Sequence, residues 1–156
     1  MWKFYCFIVI MVAISQAPQV AAHKFGDVLE SEEREQIMSM LDETKEMATQ
    51  VDELLLKVLP QIPSTSEYEE LHKYLQEYYD LVHAYKERKY NCRKRAALFL
   101  QGFKEFSEEF SNEKAAVSHE KEEVVKLLNK AGLKEMREQF NDKMSRDEFD
   151  YVMEAI

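Results

Sequence analysis

Residues 68–110 read YEELHKYLQEYYDLVHAYKERKYNCRKRAALFLQGFKEFSEEF. Within them Tyr68, Leu71, Leu75, Tyr78, Val82, Tyr85, Lys89, Cys92, Ala96, Phe99, Phe103, Phe106 and Phe110 fall on alternating steps of three and four residues. That is the period of a helix burying one seam against other helices, and a strand, whose side chains alternate every second residue, has no use for it. The single charged member of the stripe is Lys89, set in the basic run KERKYNCRKR beside Cys92. Tyrosine dominates before this run and phenylalanine after it.

A seam needs partners, and the flanking sequence supplies them. Upstream, Ile37, Leu41, Thr44, Ala48, Val51, Leu55 and Val58 repeat the spacing in a first helix that begins between Val28 and Ser31 and ends at Pro60. Pro60 and Pro63 stop it, and Ser64 with Glu67, or Ser66 with Glu69, offers a capping box for the second helix. Downstream, Ser111-Asn112 reads as a turn, with Val117, Val124, Leu127, Leu128 and Ala131 as the inner face of a third helix and Gly132 as its C-terminal cap. Leu133, Met136 and Phe140 mark a further helix, and Ser145 with Glu148 another capping box before Phe149, Val152, Met153 and Ile156. With so few Gly and Pro, the expectation is an all-α fold, an antiparallel helical bundle of four to five helices around a long central helix.

A helix continuous from Ser64 to Phe110 would be about 70 Å long, several times the usual length. Either it breaks near Asn91 or Gly102 and folds into one bundle, or it stays straight and a second subunit covers the seam. If Val58 meets Tyr68 across a tight turn, equal rise sets Lys86 to Arg95 opposite Ser31 to Met40, where Glu32, Glu33 and Glu35 offer acidic partners. The third helix, folding back, would cover the phenylalanine half, with Val117 near Phe110, Val124 near Phe103 and Ala131 near Ala96.

Residues 1–22 carry Lys3, an apolar core from Phe4 to Ile14, and small residues Val20 and Ala22 at the positions signal peptidase reads, so cleavage after Ala22 is expected. The apolar run is well short of the roughly 20 residues that span a bilayer, which argues against a retained anchor. Residues 23–156 would then form a single all-helical domain, secreted and extracellular. The chain has a formal net charge of −9, one unit more negative once Lys3 is lost, so nucleic acid and anionic membranes are poor partners for the molecule as a whole. Cys6 leaves with the leader and Cys92 remains alone, which excludes an intramolecular disulfide framework. Each Asn lacks the Ser or Thr two places on that glycosylation needs.

Glu69 and His72 make half of a di-iron motif, but the second half and its extra carboxylates are missing, and His83 lies about 16 Å further along the same helix. The C-terminal LKEMREQFNDKMSRDEFDYVM has the cadence of an EF-hand without its roughly 12-residue oxygen-rich loop. With no Gly-rich phosphate loop and no nucleophile motif, the sequence points to no enzyme, catalytic residue, cofactor or metal.

What remains is a basic, tyrosine-bearing surface: Tyr74, Tyr79, Lys86, Arg88, Lys89, Tyr90, Arg93, Lys94 and Arg95. It reads first as the binding face of a secreted interaction protein that engages an extracellular protein, and otherwise as a solvated face answering the glutamates of the first helix. Tyr74, Tyr79 and Tyr90 fall off the seam, whereas Tyr68, Tyr78 and Tyr85 fall on it. A second reading is a carrier for a small amphipathic or hydrophobic ligand, with Lys89 at the mouth of a cavity; a third is a structural or oligomerising component. A seam lysine must reach solvent, pair with a carboxylate or meet an anionic ligand. Cys92 is either a small buried core residue or an intermolecular disulfide, and with it the chain is a monomer or a homodimer. Edman sequencing of protein secreted from expressing cells should begin at His23; a start at Met1 would refute the leader.

Overall fold

The seam does not run unbroken past Lys89. The computed structural model describes residues 31–112 and 118–154. In chain order these form α1 (Ser31–Val58), short 3-10 turns at Leu59–Gln61 and Ser66–Tyr68, α2 (Glu69–Glu87), α3 (Arg93–Glu109), α4 (His119–Ala131), α5 (Leu133–Met144) and α6 (Asp147–Met153), with no strand among the described residues. Among the described residues the four to five helices expected become six, and the second is two, broken near Asn91 and not at Gly102. The longest described element is α1, with 28 residues, and α2, α3, α4 and α6 all contact it. No described helix is long and apolar enough to cross a membrane. The leader at 1–22, Val117 and Ile156 lie outside the described residues.

The two halves of the stripe close on each other. Tyr85 stacks on Phe99 at 5.2 Å, Tyr78 on Phe106 at 4.4 Å, and Tyr74 meets Phe110 at 5.8 Å, so α3 runs back antiparallel along α2. Leu75, Val82, Tyr85, Ala96, Phe99, Phe103, Phe106 and Phe110 are buried, as are Leu41, Thr44, Ala48, Val51, Leu55 and Val58 of α1. Each large apolar side chain so buried contributes about 1.5–3 kcal/mol. The phenylalanine half therefore needs no lengthwise cover from the third predicted helix, and α4 packs on α1 instead. Val125 is buried beside Val124 and Leu128, which widens the apolar face of α4 beyond one stripe. Its first turn reaches the end of α3 through Lys121, whose Nζ is 2.7 Å from Glu109. The further cover on α3 comes from α5 and α6, with Phe103 against Phe140 at 5.1 Å.

Local signals fared unevenly. Ser118 accepts from the Lys121 N–H at 3.1 Å to start α4, and Gly132, at φ 112°, closes it in the left-handed conformation expected of a C-terminal glycine. Neither capping box before α2 forms, because a 3-10 turn intervenes and Tyr68 takes the cap position with no side-chain bond. Instead the Glu67 carboxyl is held below its usual range by its own backbone N–H and then by the Thr65 hydroxyl. Ser145 turns its hydroxyl back to the Asp142 carbonyl at 2.6 Å and closes α5, so it does not cap α6.

Gly102 sits inside α3, where an added Cβ would meet its nearest neighbour, Tyr78, at an ordinary 4.0 Å. Gly102→Ala should therefore raise stability by about 0.5–1 kcal/mol in urea denaturation, the gain from removing a helix-interior glycine; a loss would mean that α2 and α3 pack closer than this.

Candidate functional site

A helix end leaves carbonyls without partners. At the end of α2 they are met from α1: Lys45 Nζ donates to the carbonyls of Tyr85 at 2.5 Å, Lys86 at 3.0 Å and Arg88 at 2.7 Å, and lies 4.9 Å from the Tyr85 ring centre. An ammonium has three donors for these three acceptors, and its charge complements the negative end of the helix dipole. Burial holds Lys45 below the ordinary lysine value; Glu87 opposes this, while Arg95 and Arg88 push the same way as burial. Asn91 completes the clamp, accepting from the Tyr85 hydroxyl at 3.0 Å and donating to the Leu41 carbonyl at 2.9 Å. Burial raises the Tyr85 phenol above its usual range, against the opposing bond from Asn91.

One turn earlier, the Asp52 carboxylate is buried, with side-chain exposure of 1%. His83 Nδ1 lies 2.8 Å and Lys86 Nζ 3.7 Å from its two oxygens. Tyr79 stacks on His83 at 5.5 Å, and its phenol is raised by burial and then by Asp52, with Lys86 opposing. The basic run therefore faces Leu41 to Asp52 and not Ser31 to Met40. The tight turn assumed in the sequence arithmetic is in fact ten residues, Leu59 to Tyr68, in two 3-10 turns joined by extended backbone at Ile62 and Thr65.

The link Arg88–Cys92 projects from this clamp. Lys89 has left the seam and reaches solvent, and Tyr90 is 82% exposed. The other basic residues divide. Lys86 is paired with Asp52 and Glu87, Arg93 lies 4.2 Å over the Tyr151 ring, and Arg95 donates to the Tyr90 carbonyl at 3.2 Å. Arg88, Lys89 and Lys94 pair with no carboxylate among the described residues. Of the sequence-chosen tyrosines, Tyr90 belongs to this tip; Tyr79 is half-buried at Asp52, and Tyr74 is partly exposed beside Phe110 at the far end of α2. Cys92 is half-buried with a free thiol at the cap position of α3. Among the described residues no group of three His, Cys, Asp or Glu is placed to hold a metal.

Sequence reasoning missed Lys45, Asp52 and the double role of Asn91. Lys45 and Asp52 each follow a stripe residue, Thr44 and Val51, and a charge on the flank of a seam is ordinary until the facing register is known. Comparison with protein-family models, curated proteins and solved structures returned no match.

Lys45→Met should cost about 1–3 kcal/mol, the price of leaving part-buried carbonyls unmet. Urea denaturation reads the loss, and hydrogen exchange should quicken at the Arg88 amide, which closes the last turn of α2 on the Tyr85 carbonyl. Unchanged stability and exchange would show that water serves this helix end equally well.

Proposed function

We propose that this chain is a secreted acidic protein, a helical bundle organised on α1, that acts by binding another extracellular protein through the Tyr90 tip. The observation that carries this reading is Tyr90 itself, a large aromatic 82% exposed on a link whose two ends are pinned by Lys45 and Asn91. Tyrosine and arginine are among the side chains most enriched at the energetic centres of protein interfaces, and a pre-ordered link loses little freedom on binding. The unpaired Arg88, Lys89 and Lys94 favour a partner that presents carboxylates, and the repulsion of Lys45 by Arg95 and Arg88 is relieved by one. Lys89, the residue that discriminates a carrier from a binder, reaches solvent here. The pocket between α1, α3 and α5, lined by Met47, Val51, Phe103 and Met136, has a volume of only about 10 Å³, room for about one water.

A photo-crosslinking residue placed at position 90 should trap one partner from the extracellular fluid. The same residue at position 56, where Leu56 is 50% exposed about 16 Å along α1 from Lys45, should not. Arg88→Glu with Lys89→Glu should reduce the trapped product about tenfold or more. Equal trapping from both positions, or none from 90, would move the site elsewhere.

A further inference from the structure

The clamp sets the basic tip beside its electrical opposite. The first half of α1 presents an open, solvent-facing surface formed by Arg34, Glu35, Met38, Asp42, Glu43 and Glu46. Glu43 is engaged by Arg146 at 3.1 Å and Lys143 at 3.7 Å, whereas Glu35, Asp42 and Glu46 are exposed. Met38, 55% exposed, is second only to Tyr90 among the exposed large apolar side chains of the described residues. This face and the tip share one stretch of α1, since Asn91 bonds the carbonyl of Leu41 and Asp42 is the next residue, about 100° round the helix. A positive projection with an aromatic end thus sits next to a negative helix face that carries the exposed Met38.

Adjacent, complementary patches of this kind are what an isologous dimer requires, because a two-fold axis between them sets each patch on the other's counterpart. We infer that two copies of this chain associate at this end, the Tyr90 tip of each laid against the acidic face of α1 of the other. Tyr90 then covers Met38, and Arg88 and Lys89 meet Glu35, Asp42 and Glu46. The contact is small and largely charged, which places it among weak, salt-sensitive associations and not among permanent dimers. It also buries the tip, so self-association competes with the proposed partner.

Sedimentation equilibrium of the secreted protein, under reducing conditions so that Cys92 cannot cross-link, should show dimerisation that weakens as salt rises. Arg88→Glu with Lys89→Glu should lower the association constant about tenfold or more, and so should Glu35→Lys with Asp42→Lys. An equimolar mixture of the two variants should recover it, since both contacts between tip and acidic face are then matched across the axis. All four positions are exposed, so circular dichroism should show each variant folded. A monomer at every concentration, dimers only without reductant, or a mixture no better than its components would each overturn the inference. The variant of the acidic face separates the two proposals: it loses self-association but should be trapped from position 90 by the partner undiminished.

Discussion

A lysine in an apolar seam folds this chain back on itself. Burying the Lys89 ammonium unpaired would cost several kcal/mol, far more than ending a helix whose terminal groups find other partners. The helix stops before it, the lysine goes to solvent, and tyrosines before the break meet phenylalanines after it in stacked pairs at Tyr85–Phe99 and Tyr78–Phe106. One defect in a heptad pattern thus turns a rod of about 70 Å into a hairpin. The fold-back also buries one polar group unmet. The Tyr78 hydroxyl is buried with no hydrogen-bond partner among the described residues, and burial, followed by Tyr74, pushes its phenol well above the usual range.

The break holds because α1 contributes charges of both signs where α2 needs them. Lys45 gives a cation to carbonyls, and Asp52 takes one, Lys86, from the same turn. A buried carboxylate with a lysine and a histidine beside it adds little net stability over an apolar substitute, yet it penalises any rotation of α2 that removes them. Glu43 does the same for the C-terminal part of the chain, joining α1 to Lys143 of α5 and to Arg146 at the start of α6. Three polar ties, flanking the apolar face of one helix, fix its neighbours in register as well as in contact.

Much of this was legible in the residues alone. Helix class, both stripes and the Gly132 cap followed from spacing and backbone chemistry, and the break was one of two outcomes the seam length demanded. Partner choice was not legible. The placement of Val124 on Phe103 assumed that the next helix in sequence covers the open half, but the tyrosines of α2 were already there. The offset of Lys86 from the glutamates of α1 arose in the same way, from a loop whose length was known but whose path was not. Ser145 failed as a cap because a serine hydroxyl can serve the helix behind it as well as the one ahead. At the site, Tyr90 was legible as an off-seam aromatic, while the clamp was hidden in two unremarkable charges of α1.

The charge pattern of the helices themselves singles out the same place. In α2, Glu69 and Glu70 open the helix and Lys86 closes it; α4 runs from Glu120 and Glu122 to Lys130, and α5 from Glu135 to Lys143. Each follows the macrodipole, a preference of about 0.3–1 kcal/mol per charge. The third helix reverses it at both ends. Its first turn is Arg93, Lys94 and Arg95 with no acid, and its last has Glu108 and Glu109 with no base. Arg93 is partly excused by Tyr151, and Arg95 by the Tyr90 carbonyl, but Lys94 has no such partner among the described residues. A chain that obeys an inexpensive rule in α2, α4 and α5 and breaks it beside its most exposed aromatic is spending local stability on something outside the helix. A carboxylate-bearing surface docked at the tip would restore the missing negative charge at the start of α3, which is why an acidic partner fits the local energetics as well as the exposed shape.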